Sequence, residues 1–556
     1  DSQYQKQPYP EPSLLDQWNC FASDVQAYAD AFPYYPQNRD YATGSDNIWL
    51  VVENEDFVTA PAIVQYLDRR VALNDVKRWS HNLAVTFGGR MFKRLVRNQW
   101  LFGRPYWEDV TSQFDIDNHV FLRKLAAPGG EKELKDLVGE IASTPLDFRW
   151  PLWQVFCVQG FVDKNGKERT VVISRIHHSV ADGAGTMTSL FKYVKALDPA
   201  TGLADPSKAA SHVGPPIIVG LKMDGDVKLL EAKEPGIERL LQTGLAVFVG
   251  LMLYLSHVIH LILFELPLFF KRGMRSKDSL LFRRHLPKQV GWTNRIQFER
   301  IKKVKRALGM TVNDVMVGCF NAALAKYLES LKTSRNVDPY FVWFVPASFR
   351  NPSNSKDWSL NNVSTGFLLS VSSGHKSVIE FTRDVCRQMS MLKKSVEPYL
   401  VYFVMEYGFL FPWCFPRWAV LLGTHMIHGG ISNVPGPKDP ISFGTASVER
   451  INFAIMSAPG TIFALVSSYG SDMFVAVQTD VDSEAEKDCF EPGMADAVCK
   501  LFEEEFEKLE ELCKGGSALA PSPISVRRVW SHLRRGMIIL FILLLFLLPF
   551  IALQFV

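Results

Sequence analysis

Thr170-Val171-Val172-Ile173-Ser174-Arg175-Ile176, followed at once by His177-His178-Ser179-Val180-Ala181-Asp182-Gly183, is the stretch on which the reading of this chain turns. Thr170 to Ile176 is rich in β-branched residues and reads as a strand. Beyond the motif, Met187, Leu190, Phe191, Val194 and Leu197 recur at helical spacing. The two histidines therefore occupy a loop between a strand and a helix. Upstream, Trp153 to Phe161 alternates and Asp163-Lys164-Asn165-Gly166 supplies turn chemistry, which makes the first strand one arm of a hairpin.

Neighbouring residues on a strand point to opposite faces, so one histidine of the pair can enter a given cleft. An imidazole of ordinary basicity can take a proton from a hydroxyl as that oxygen attacks a thioester. A thiolate leaves readily, so for such a transfer one base and good positioning suffice. No Ser or Cys nucleophile on an elbow motif is present. Asp182 has two readings: it orients the imidazole, or it turns away and pins the loop through an arginine, with Gly183 permitting a tight turn. The bland alternatives are a pair of structural histidines or a metal site, and companion ligands for a metal are lacking nearby.

Composition bounds the rest. At 556 residues the chain exceeds one ordinary core, and 47% hydrophobic with 21% charged residues describes a folding chain. Thirty-nine Phe and thirteen Trp suit an apolar substrate or a membrane surface, although a large core uses them too. A net charge of +3 gives no reason to expect nucleic acid. The eight cysteines are scattered without a C-x-x-C pair, which argues against a zinc site or a disulfide scaffold and for reduced thiols in a cytosol-facing protein. Asn362-Val363-Ser364 is a glycosylation triplet of a kind common by chance. The chain opens on Asp1, which leaves open whether residues precede it; no signal peptide is read.

Along the chain, an extension (1–45) precedes a first α/β unit (46–200), which holds a strand over Asn47 to Glu53 and a helix carrying Leu134, Leu137, Val138 and Ile141. A linker (201–276), loop-like from Asp198 to about Lys233, includes the apolar segment 244–264. A second α/β unit (277–515) holds a helix over Val312 to Leu331, strands over Tyr340 to Val345 and Phe367 to Val371, a hairpin of Thr461 to Tyr469 with Met473 to Val477, and helical character over Glu484 to Leu512. A basic linker (516–536) leads to the apolar run 537–556.

Met537 to Val556 reaches about 30 Å as a helix, the thickness of a bilayer's hydrocarbon core. Arg527, Arg528, His532, Arg534 and Arg535 precede it, which places the bulk of the chain in the cytosol and the tail as a transmembrane anchor; a buried terminal helix is the alternative. The segment 244–264 is long enough to span, but a single pass would separate the two units, so it is expected to lie in the interface, re-enter or form a broken hairpin. Tyr399 to Leu422 reads as a core or lipid-facing helical region.

The motif His177 to Gly183 resembles the active-site motif of the CoA-dependent acyltransferase superfamily, which includes chloramphenicol acetyltransferase, plant alcohol acyltransferases and peptide-synthetase condensation domains. Further motifs are similar to those of the wax ester synthase/diacylglycerol acyltransferase family. Pro145-Leu146-Asp147, Arg149 and Pro151-Leu152-Trp153 resemble its P-L-D-x-x-R-P-L-W segment, with Trp150 inserted. Thr311-Val312-Asn313-Asp314-Val315 resembles its N-D-V motif, and Ser432-Asn433-Val434-Pro435-Gly436-Pro437 matches S-N-V-P-G-P. The plant D-F-G-W-G signature is absent; Ser442-Phe443-Gly444 is the nearest approach. Alone, Asn313-Asp314 would read equally as an ordinary helix start, and Val434 to Pro437 as a turn.

The resemblance covers about Asn47 to Leu512 and implies a two-domain α/β fold of the chloramphenicol-acetyltransferase type with an interdomain tunnel. It implies His178 as the base, His177 as its support and Asp182 as structural, with Arg350 as candidate partner. Pro151, Leu152 and Trp153 become a substrate-binding or structural motif. Asn313, beside Asp314, lines the site and holds the reacting carbonyl, and Asn433, Pro435 and Gly436 shape the tunnel floor. Acyl-CoA is implied as co-substrate with no bound cofactor or metal, a fatty alcohol or diacylglycerol as acceptor, and the cytosolic face of the endoplasmic reticulum membrane as location. Two alternatives stand beside this: another lipid alcohol (sterol, retinoid or carotenoid), or a non-catalytic lipid-binding relative.

Overall fold

The computed structural model describes residues 39–97, 104–211, 287–331, 340–348, 350, 360–392, 398, 401–402, 405–406, 427–481 and 490–514. The segments 244–264 and 537–556, and nearly all of 399–422, lie outside these residues. In chain order the first half carries β1 (Asp40–Tyr41), α1 (Gly44–Val52), β2 (Ala62–Leu67), α2 (Leu73–Phe87), a 3-10 turn (Gly89–Phe92), β3 (Lys93–Val96), β4 (Tyr106–Asp109), β5 (Val120–Lys124), α3 (Glu131–Ala142), β6 (Trp153–Val162), β7 (Glu168–Ile176), α4 (Gly183–Ala196) and α5 (Pro206–Ser211). The second half carries β8 (Lys288–Trp292), β9 (Ile296–Gln297), α6 (Phe298–Leu308), α7 (Val312–Ser330), β10 (Tyr340–Ser348), β11 (Ser364–Ser372), α8 (Val378–Leu392), β12 (Gly429–Val434), β13 (Ser442–Phe443), β14 (Ala446–Ala454), β15 (Ile462–Tyr469), β16 (Asp472–Asp480) and α9 (Met494–Lys514).

The hairpin β6–β7 and the helix α4 stand where the sequence places them, as do α3, α7, β10, β11 and the hairpin β15–β16. One expectation is corrected. Asn47 to Val52 is helical, not a strand, and Glu53 is the helix's C-cap: Thr43 and Asp46 form a reciprocal capping box, with Asp46 N–H donating to Thr43 Oγ1 and Thr43 N–H to Asp46 Oδ2, both at 3.1 Å. That cap, four residues ahead of an apolar run too short to show its period, decides for the helix. The C-terminal helix runs over Met494–Lys514, after turns within Phe490 to Gly493 where Gly493 takes a left-handed φ of 88°; residues 482–489 lie outside the described residues.

Two large sheets organise the chain. The first runs β13-β14-β2-β7-β6-β5, antiparallel except for β5 with β6. The second runs β11-β10-β12-β15-β16-β8, with β12 parallel to both β10 and β15 and β9 pairing with β16. A small sheet, β1-β4-β3, stands apart. The sequence division at residue 276 does not divide the sheets, because β13 and β14 leave the second half and complete the first sheet. Phe453 of β14 pairs with Ile63 and stacks on Phe474 of the second sheet at 6.1 Å. The halves are also tied by Lys288, whose buried ammonium pairs with Asp480 and donates to the Ser457 carbonyl at 3.0 Å, while its backbone N–H donates to Ser143 Oγ at 2.8 Å.

Each sheet has its own apolar core, and α7 is buried along most of its length in the second. Among the described residues no single helix is long and apolar enough to cross a membrane; α6 with α7 qualifies only as a pair bent by 95°, and the apolarity of α7 belongs to that core. Cys157, Cys319, Cys386, Cys499 and Cys513 are free thiols.

Candidate active site

The two histidines sit at the end of β7, where neighbouring strands fix their backbones: His177 N–H donates to the Leu152 carbonyl at 2.9 Å and His178 N–H to the Thr59 carbonyl at 2.8 Å. This is the work of Leu152 in the Pro151-Leu152-Trp153 segment. Trp153 opens β6, pairs with Ile176 and stacks on His119 at 4.2 Å.

The adjacent imidazoles then part company. His177 turns inward and is fully buried; the Ser179 amide donates to its Nδ1 at 3.1 Å, which leaves Nε2 to donate to Glu53 Oε2 at 2.9 Å. Thr59 donates from both its N–H and its hydroxyl to the same Glu53 oxygen. Burial works to raise the Glu53 carboxyl, but His177 and Thr59 outweigh it and hold the group below its ordinary value.

His178 faces a cavity of about 410 Å³ lined from both halves of the chain. Its Nδ1 is buried and makes no hydrogen bond of good geometry to another described residue, and the polar groups near the ring are its own carbonyl and the Asn362 side chain. Nε2 is therefore the nitrogen left to serve the cavity. The indole of Trp49 lies on the ring, centroids 3.8 Å apart. The side chain is half-buried by surface area, but what it exposes is cavity and not bulk solvent. Burial pushes its pKa down to about 4, with Asp182 pulling the other way. Trp49 is on α1 and Glu53 caps its C-terminal end four residues later, so one turn of helix brings them near one another, one for each histidine; on a strand they would stand about 13 Å apart.

Asp182 forms no bond to the imidazole. Its Oδ1 accepts from Arg350 Nη2 and from the Gly185 amide, both at 2.8 Å, and its Oδ2 from the Val363 amide at 2.9 Å. It caps α4 and ties the motif loop to the second half, so of its two readings the geometry holds the loop-pinning one. Gly183 is the first helical residue, not a left-handed turn residue. Its lack of a side chain matters because a Cβ would stand 3.3 Å from Val434 Cγ2. Gly436 is more constrained still, since a Cβ there would meet the Ser468 carbonyl oxygen at 1.8 Å. Pro435 follows Val434, and this turn seats the end of β12 against β15, with Ser467 Oγ donating to the Val434 carbonyl at 2.8 Å. Asn313 and Asn433 hydrogen-bond each other and lie outside the cavity lining. The N-cap of α7 is Thr311, and Asp314 completes its capping box.

Sequence reasoning passed over four residues that build the site. Asn362, known only as a glycosylation triplet, is 6% exposed; its Nδ2 donates to Asp46 Oδ1 and to the carbonyls of His178 and Ser179, at 2.9, 2.9 and 3.1 Å. Arg90 pairs with Asp46 at 2.6 Å and donates to the carbonyls of Ser179 and Val180, both at 3.0 Å. Trp49 and Glu53 were hidden by the strand reading. Only the Thr43–Asp46 capping box was available as a signal.

This is the architecture of a two-domain α/β acyltransferase with a histidine in a cavity shared by both halves. The solved wax ester synthase/diacylglycerol acyltransferase of Marinobacter aquaeolei has the same fold, with a TM-score of 0.55 over 85% of this chain and 100% of that one at 17% identity. Two family models match, the wax ester synthase/diacylglycerol acyltransferase catalytic domain over residues 76–217 and the family's C-terminal domain over residues 361–510, together just over half of the chain. The chain belongs to the wax ester synthase/diacylglycerol acyltransferase family. Among its relatives are a putative diacylglycerol O-acyltransferase of Mycobacterium tuberculosis, 26% identical over 68% of this chain and 77% of that protein, and an O-acyltransferase of Acinetobacter baylyi, 25% identical over 62% and 72%.

Proposed function

We propose that the protein transfers a long-chain acyl group from acyl-CoA to a fatty alcohol, to diacylglycerol, or to both, with His178 as general base. The observation that carries this reading is the His178 imidazole in the wall of an apolar cavity, with Nδ1 buried, which leaves Nε2 for the cavity, and with burial favouring its neutral form. Nε2 takes the hydroxyl proton as the alcohol oxygen bonds to the thioester carbonyl carbon. The tetrahedral intermediate then collapses, the carbon–sulfur bond breaks, and the proton on Nε2 passes to the departing thiolate of CoA. His177 does not take part in proton transfer, since its nitrogens are engaged by Ser179 and Glu53; it holds the end of β7. The relatives' names, which include both acceptor types, support the choice of substrates.

Attachment to a membrane through residues 537–556, at the cytosolic face of the endoplasmic reticulum, belongs to the same proposal. Its support is the uniform apolarity of that run and the partition of such acceptors into lipid. Chain lacking residues 537–556 that still sediments with membranes would count against the anchor.

The test is expression in a host without neutral-lipid synthesis. Membranes are given labelled palmitoyl-CoA with hexadecanol or diacylglycerol, beside His178→Ala. Ester that forms with the wild type and vanishes in the variant supports the reading. Equal product, or none with either acceptor, overturns it.

A further inference from the structure

One arm of the cavity has a polar end that the transfer chemistry does not use. By strand register, Trp153 shares a sheet face with Ile176, and Val155 and Ile63 share it with Ser174. Gln65, two residues beyond Ile63, lies on that face as well. All of them line the cavity, and Ser80, Leu83 and Phe87 add a second wall from one stripe of α2.

Both walls lead away from the base. Ser174 lies four residues before His178 along β7, about 13 Å on a strand. On α2, the turn that follows its C-terminal end carries Met91, whose carbonyl accepts from Trp153 Nε1 at 2.9 Å, and Trp153 pairs with Ile176. That end of the helix is therefore level with the base, and Ser80, seven residues before Phe87, lies about 10 Å deeper.

The groups at that depth are hydrogen-bonding ones. Among the described residues the hydroxyl of Ser80, 1% exposed, has no partner, and the side chain of Gln65, 4% exposed, makes a long bond of 3.4 Å to Ser174 Oγ. Between them and the base the walls are apolar, with Leu83, Phe87, Ile63 and Ile176. A purely hydrocarbon chain filling this arm leaves the Ser80 hydroxyl buried and unsatisfied, which is costly; a chain carrying its own hydroxyl at that depth satisfies it.

We propose that this arm is a subsite for a hydroxylated lipid chain, selected by Ser80 and Gln65 with Ser174, the chain's hydroxyl lying on the order of 10 Å from the reacting atoms. The proposal deepens the acyl-transfer reading and rests on it for the kind of chain. The chain comes from the acceptor alcohol or from the acyl donor, and the test has an arm for each.

The experiment measures displacement of a fluorescent long-chain alcohol from the full chain. Competitors are linear α,ω-diols from octanediol to hexadecanediol against the 1-alkanols of equal length, and ω-hydroxyacyl-CoA against plain acyl-CoA. At the length that brings the distal hydroxyl to Ser80, the hydroxylated member of one pair competes about fivefold better, the effect of one net hydrogen bond. The advantage shrinks below about twofold in Ser80→Ala and in Gln65→Leu. An advantage in the diol pairs assigns the arm to the acceptor, and in the CoA pairs to the donor. No advantage at any length in either series with wild-type protein overturns the proposal, whether or not the variants fold. Displacement reads binding alone, so absence of ester in a parallel turnover assay would count against acyl transfer and leave this result standing.

Discussion

The indole of Trp49 covers the imidazole of His178, ring centroids 3.8 Å apart and planes inclined by 33°. A residue of α1 thus covers one face of the proposed base, His178, which also lines the cavity. The contact restricts the ring's rotation and excludes water from it. Trp49→Ala is expected to lower kcat about 100-fold, the scale of a misplaced catalytic group, with a smaller change in KM. Trp49→Phe retains a covering ring and most of the rate. Unchanged kcat in the alanine variant would remove the positioning role.

The pH profile follows from the same burial. His178 is pushed down to about 4 from the ordinary 6.5, so it stays neutral and able to accept a proton well below pH 6. The acid limb of kcat/KM for the free enzyme is expected near pH 4 and not near 6.5. In Trp49→Ala, where water reaches the ring, the limb moves upward.

Stability moves in the corresponding direction. Below pH 6.5 the unfolded chain takes up a proton at His178 before the folded chain does, so stability is lost between about pH 6.5 and 4. Glu53, lowered from 4.5, loses its contribution as pH falls below about 4.5, so its loss begins at the acid end of that window and continues beneath it. His178→Gln should have a urea midpoint less sensitive to acid over this range than wild type. Equal sensitivity would mean that His178 is not held neutral by the fold.

Arg350 and Asp182 form a buried pair, their side chains 0% and 5% exposed. Removing either partner strands the other, so Arg350→Ala and Asp182→Asn are each expected to cost about 3 kcal/mol, and the double variant less than the sum. Arg350→Lys does not restore stability, because Arg350 holds Asp182 Oδ1 and the Asn361 side chain with different nitrogens. Additive losses in the urea midpoints would show the two to be uncoupled.

Asn362 holds the carbonyls of His178 and Ser179 while also bonding to Asp46. Asn362→Asp sets a carboxylate against Asp46 and two carbonyl oxygens, so it should lose more kcat than Asn362→Ala, by about tenfold. Wild-type rates in the aspartate variant would refute the arrangement. Mass spectrometry of chain from a glycosylating host should find no glycan on a side chain this buried.

Local features of the chain were sufficient for much of the fold. The β6–β7 hairpin, its turn, the loop of His177 to Gly183 and the periodicity of α4 and α7 are contiguous patterns, and contiguous patterns reflect forces that act between near neighbours. They also picked out the histidine motif, and the family resemblance offered Arg350 as the partner of Asp182. Where the pattern was short, as over Asn47 to Glu53, β-branched and aromatic residues favoured a strand, and a two-residue cap together with tertiary packing reversed the choice.

Only the tertiary structure decided how the site is assembled. Trp49, Asp46, Arg90 and Asn362 meet the histidine loop from separate parts of the chain, the last from 184 residues away. β14 crosses from the second half to complete the first sheet, and the cavity takes walls from both halves. The sequence by itself determined that this chain has two α/β halves and a histidine motif suited to acyl transfer. Which groups cover the base, which occupy Asp182 and which end the cavity depended on long-range packing, because such contacts are set by the closing of the chain and leave no periodic trace in it.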